Sequence, residues 1–149
     1  MSGAPSEGDI EDLASQPLTP DRPADEPGAS EAAAVVVQYY AALDNGDFAQ
    51  AFRLWSDGGA ASGRSPQQFA DSFSGTASRT VEILEPGRIN AAAGSRYIEV
   101  PVAIQESRRD GSVLRQVGTY TLRRAVADGA DAERRAWRIS SADLREVRP

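Results

Sequence analysis

The chain of 149 residues has no cysteine and no histidine. Without thiols there is no thiolate nucleophile and no disulfide, and the redox compartment leaves no mark on the sequence. Without either residue there is no zinc site of the Cys/His kind and no imidazole general base. Catalysis would have to rest on Asp, Glu, Tyr, Ser or Arg alone. Lysine is missing as well: all 16 basic residues are arginine, which reads as GC-rich codon usage before it reads as selection for bidentate anion binding. No apolar run follows Met1 at signal-peptide length, and none approaches a membrane span. Gly58-Gly59, Gly87 and Gly94 match no phosphate-cradling spacing, so no cofactor and no metal is expected.

What is present fits one soluble domain, with 40% hydrophobic and 26% charged residues. The net charge of −6 is unevenly spread. Up to Glu31 there are eight acids (Glu7, Asp9, Glu11, Asp12, Asp21, Asp25, Glu26, Glu31) against Arg22; the remaining 118 residues carry 14 acids and 15 arginines. A body so close to neutral lacks the clustered basic face that nucleic acid requires. Residues 1–29 hold five of the nine prolines and no aromatic residue, too little apolar surface to offset the entropy of ordering. We therefore expect a disordered acidic leader over 1–29 and one domain over 30–149. Such a leader resembles the tether of an anchored bacterial envelope protein, in the periplasm or held at the outer membrane, whose export signal or lipid anchor has been removed. A cytoplasmic protein with a ragged terminus is the alternative.

Ser30 is placed to cap a helix, with Glu31 in its first turn. Ala33, Val36, Val37, Tyr40 and Leu43 then recur at three- and four-residue spacing as far as Asp44. Asn45-Gly46 ends that helix, and Asp47 caps a second whose apolar face is Phe48, Ala51, Phe52 and Trp55. Ser65-Pro66-Gln67-Gln68 has the form of a capping box with proline at the first helical position, leading into Phe69 and Phe73. Past Ser78 the period changes to two. Val81 and Ile83 begin it; Ile98, Val100, Val102 and Ile104 continue it, with Pro101 marking an edge or a bulge. Asp110-Gly111 signals a hairpin, and the return strand over 113–124 puts Leu114, Gln116, Gly118, Tyr120 and Leu122 on one face. Trp137 and Ile139 mark a last strand. Helices followed by antiparallel strands predict an α+β domain: three N-terminal helices on a strongly curved sheet of about four to six strands.

The run Val37-Gln38-Tyr39-Tyr40-Ala41-Ala42-Leu43-Asp44-Asn45-Gly46-Asp47-Phe48-Ala49-Gln50-Ala51-Phe52 resembles the opening of the nuclear transport factor two-like, or cystatin-like cone, superfamily. The stretches 54–63 and 95–102 are similar to those of uncharacterised proteobacterial members, several of them envelope lipoproteins. The resemblance spans roughly residues 31 to 147 and implies the cone fold. It leaves function open, because the superfamily holds isomerases, dehydratases, polyketide cyclases, epoxide hydrolases and inert binding modules.

Enzymes of that superfamily place an Asp inside the cone, often with a His, Tyr or Arg. Here Glu82 and Glu99 alternate against the aliphatics, and Glu106 shares their phase at the end of its strand. Asp57 is the remaining candidate base, and its competing reading is a turn-former ahead of two glycines. Tyr40, Trp55, Tyr120 and Trp137 are the candidate ligand-binding residues, each equally suited to filling a small core. Of the adjacent Tyr39 and Tyr40, one is expected in the core and the other along a pocket. Arg108-Arg109, Arg123-Arg124 and Arg134-Arg135 read as solvated charges before they read as an anion-binding surface. The sequence thus leans to a non-catalytic module that binds a small apolar ligand or a protein partner. The alternatives are a small isomerase, dehydratase or hydrolase built on a carboxylate in an apolar pocket, and a structural homodimer paired through Tyr97, Ala103, Val117, Thr119 and Thr121.

Overall fold

The structure is a computed structural model and describes residues 27–147. Residues 1–26 of the expected leader lie outside the described residues. The first helix, α1, spans Ala29–Asp44 and is capped by Gly28 in extended conformation. Ser30 therefore falls inside the first turn. The reason is Glu31, whose carboxylate reaches back three residues to accept the Gly28 N–H at 2.8 Å, the carboxylate half of a capping box. The helix buries Ala32, Val35, Val36, Tyr39, Tyr40, Ala42 and Leu43. Val37 is 50% exposed, because it lies about 100° round the helix from Val36. Gly46 leaves the helix at φ 74°. Asp47 then accepts the Gln50 N–H at 3.1 Å and starts α2, Phe48–Arg53.

A 3-10 segment, Asp57–Ser62, is interrupted by Gly58 and Gly59 at positive φ. α3, Pro66–Asp71, carries the complete capping box: Gln68 N–H donates to Ser65 Oγ at 3.1 Å, and Ser65 N–H donates to Gln68 Oε1 at 2.9 Å. The three expected helices are thus all present. Three elements were not expected: the 3-10 segment, a single turn, α4, Ala132–Arg135, within what reads in sequence as a polar loop, and a short strand over Asn90–Ala92.

The sheet has five strands: β1 Thr76–Ile83, β2 Asn90–Ala92, β3 Ser95–Arg108, β4 Val113–Ala125 and β5 Arg138–Glu146. Its order is β1-β3-β4-β5, with β2 also paired to β3, and every pairing is antiparallel. Pro101 sits in a strand paired on both sides, so it does not mark an edge. Its carbonyl accepts the Leu84 N–H at 2.9 Å, but it cannot return the bond, and β1 leaves the ladder there. The hairpin forms at Asp110-Gly111, where Asp110 Oδ1 accepts from both the Ser112 N–H and its hydroxyl.

Ile98, Val100, Val102, Ile104, Tyr120, Leu122 and Ile139 face inward and meet α1 in one core. The close approach of β5 to β4 depends on Gly118. A methyl group there would run into the Asp143 carbonyl and Leu144 Cα of β5, so only glycine lets the two strands approach so closely. Ser56 N–H and Ile139 N–H each bond across to the other segment's backbone, to Ile139 O at 2.7 Å and Leu54 O at 2.8 Å, and this ties the end of α2 to β5.

Candidate functional site

Between α1 and the inner face of the sheet lies an open cavity of about 440 Å3. α1 supplies Tyr39 and Tyr40, the turn after α2 supplies Trp55, and β1, β3 and β4 supply Arg79, Glu106 and Tyr120. Helical geometry lets adjacent tyrosines share this wall: both Tyr39 and Tyr40 are buried, at 4% and 7% exposure. Tyr39 packs edge-on against Tyr40, Tyr120 and Trp55, with centroids 5.3, 6.0 and 6.2 Å away. The Tyr40 and Tyr120 hydroxyls meet at 2.6 Å. One proton serves that bond, so the pair keeps a second O–H to donate elsewhere.

Burial pushes the Tyr39 phenol up to about 12, with the nearby Trp55 indole and the charges of Arg64 and Arg79 opposing the rise. Tyr40 is raised further, chiefly by burial and against its bond to Tyr120. Tyr120 is raised well above the ordinary phenol value, again chiefly by burial. All three are therefore protonated donors near neutral pH and are unsuited to act as bases.

The ionisable part of the wall comes from register. Arg79 of β1 stands directly opposite Glu106 of β3, on the face that holds Val81 opposite Ile104. Arg79 has only 5% of its side chain exposed, and its guanidinium lies 4.9 Å over the Phe73 ring. Nε is 3.6 Å from Glu106 and Nη1 is 3.6 Å from Asp44; charge-assisted hydrogen bonds run nearer 2.7–2.9 Å. Arg79 Nε has no hydrogen-bond partner among the described residues, and the same is true of Trp55 Nε1. Glu106 is better satisfied. It accepts the Thr76 hydroxyl at 2.7 Å and lies 3.4 Å from Arg108.

The lining is thus aromatic but also charged. Glu106 points inward, as its phase indicated, although it stands near the end of β3. Arg79 was missed by sequence reading. Its signal was present, since it shares phase with Val81 and Ile83 and the alternation needed only to be followed two residues back.

Of the sequence candidates, Tyr40, Trp55 and Tyr120 line this one cavity. Trp137 does not: it is 2% exposed in the core, with the Arg124 guanidinium 5.9 Å from its ring. Asp57 lies outside the cone as well. Its side chain is 63% exposed and 3.5 Å from Arg123, and its backbone is left-handed at φ 59°. It lines a surface crevice of about 550 Å3 with Arg123, Arg134, Arg138, Asp131 and Glu133, where acids and arginines balance. Two of the three arginine pairs come together, with Arg124 Nε–H donating to Arg135 O at 2.8 Å, but the acids of the crevice balance them. Arg108 stands at the cone, Arg123 and Arg134 at the crevice, and Arg124 is buried. Among the described residues no group of acids could hold a metal ion, and no helix is long and apolar enough to cross a membrane.

No protein-family model and no curated relative matches the sequence. Solved structures do match the fold. A nuclear transport factor 2-like superfamily protein from Salmonella enterica serovar Typhimurium superposes with a TM-score of 0.52 at 16% identity, over 80% of this chain and 91% of that one. A proposed aromatic ring hydroxylase from Novosphingobium aromaticivorans gives 0.59 at 11% identity, over 87% and 94%. A protein from Kribbella flavida gives 0.54 at 17% identity, over 78% and 88%. The chain therefore has the α+β cone fold of the nuclear transport factor 2-like proteins. Identities this low establish the fold and leave the activity to the site.

Proposed function

We propose that the chain is a non-catalytic domain that binds a small molecule in the cone cavity. One observation carries this reading: a cavity of about 440 Å3, within the range of small-ligand sites, is walled by aromatic rings and by Arg79, whose carboxylate neighbours stand at 3.6 Å. The carboxylate that faces it, Glu106, is already engaged by Thr76 and Arg108, and the phenols hold their protons. The test is a titration with phenol, benzamide and aromatic carboxylates, followed by tryptophan fluorescence. We expect saturable quenching that disappears in Trp55→Phe while the Trp137 signal persists. No saturation by any probe at millimolar concentration overturns the reading.

An isomerase, dehydratase or hydrolase is the second reading, favoured by the inward direction of Glu106. A Glu106→Gln variant that still binds ligand but stops consuming it would establish turnover. With the binding role we propose a bacterial envelope address, supported by the acidic proline-rich composition of residues 1–29. Fractionation of cells that express the chain behind its genomic upstream sequence tests it. We also propose self-association through the outer face of β3 and β4, supported by the half-buried Ala103, Val117, Thr119 and Thr121. Light scattering that finds only monomer at high concentration excludes it.

A further inference from the structure

We propose that the occupant of the cone cavity is an organic carboxylate with a compact apolar body, its head held by Arg79; this rests on the binding role proposed above.

A guanidinium buried without matched acceptors is costly. Arg79 has 5% of its side chain exposed, yet both of its carboxylate neighbours stand at 3.6 Å, and its Nε makes no hydrogen bond among the described residues. A planar fork of donors taken out of water and left incompletely matched is costly. An acceptor brought by a ligand relieves that cost. Neither Glu106 nor Asp44 supplies it: Glu106 is drawn to Thr76 and Arg108, and Asp44 is 42% exposed.

The rest of the wall has the same polarity. The Tyr40–Tyr120 pair keeps one O–H to donate. The lining holds three arginines, Arg64, Arg79 and Arg108, against the single carboxylate of Glu106. Donors and positive charge in excess select a molecule rich in acceptors and negative, and a planar carboxylate fits a guanidinium fork in two-point contact. The body follows from the remaining surface: Leu43, Ile104, Leu144 and the tyrosine rings offer apolar contact, which a bare inorganic anion cannot use.

The full chain is titrated by calorimetry with three isosteres: phenylacetate, neutral phenylacetamide and cationic 2-phenylethylamine. We expect phenylacetate to bind on the order of tenfold more tightly than the amide, the discrimination a hydrogen bond to a charged group provides, and the amine not to saturate. Arg79→Gln is expected to reduce the acid-over-amide ratio to about twofold or less. If Arg79→Gln fails to fold, the ratio of the probes on the unaltered chain decides alone. Equal affinity for acid and amide overturns the carboxylate class but leaves the binding role standing. Displacement of phenylacetate by equimolar inorganic phosphate also overturns it, because the site would then recognise charge without the body. Saturation by none of the three overturns the binding role and this inference together.

Discussion

Arg138 and Arg79 each face a glutamate, one at the surface crevice and one inside the cone. Arg138 meets Glu133 through Nε at 2.7 Å and Nη2 at 2.9 Å, and Glu133 is 58% exposed. Arg79 meets Glu106 at 3.6 Å and is almost wholly buried. The better geometry belongs to the pair that matters less, because Glu133 is open to water and salt screens what remains. The looser geometry sits where the dielectric is low, so each unmatched donor counts for more. Charge density alone would direct attention to the crevice. Burial with incomplete pairing directs it to the cone.

The contrast can be broken most directly by deleting each cation. Arg79→Met should lower the unfolding free energy by about 3–5 kcal/mol, since it leaves Glu106 buried with less compensation. Arg138→Met should cost less than about 1 kcal/mol; urea unfolding measures both, and equal losses would dissolve the contrast. Gly118→Ala should cost about 1–3 kcal/mol by forcing β5 away from β4, and it should weaken ligand binding as the cavity wall shifts. Tyr40→Phe should cost about 1–3 kcal/mol by leaving the Tyr120 hydroxyl unpaired, with part of the loss recovered in the double Phe variant.

Alkali sharpens the same picture. The unfolded Tyr39 phenol loses its proton near 10.0, and the folded one holds it to about 12. Between those values the unfolded state carries fewer protons, so stability falls as pH rises through the window and is unaffected below it. The check is phenolate absorbance that appears together with loss of circular dichroism. Early titration of most of the tyrosines in the folded chain would contradict it. The smallest effect is expected at the crevice. Asp57→Gly relieves a left-handed backbone and should change stability by no more than about 1 kcal/mol, in the favourable direction; a large loss would show that the Asp57 contact with Arg123 contributes more than an exposed pair does.

The elements were legible where local chemistry decides them. The Ser65 capping box, the Asp110-Gly111 hairpin and the period-two run from Ile98 to Ile104 all depend on neighbours a few residues apart, and each formed as expected. The cap fell at Gly28 and not at Ser30 because Glu31 closes a capping box only from the third helical position. Trp55 was legible as an aromatic residue near the site, whereas Trp137, of the same residue type, joined the core.

By itself the sequence determined which chemistries are closed to this chain, and it determined the alternation of apolar and polar residues that brings helices and sheet into one cone. Only the tertiary structure decided that Arg79 meets Glu106, that Tyr40 meets Tyr120 eighty residues away, and that Asp57 is left outside. Side-chain period depends on the backbone alone, but the partner across a ladder depends on register, and register is fixed by the turns, bulges and the close approach at Gly118 acting together.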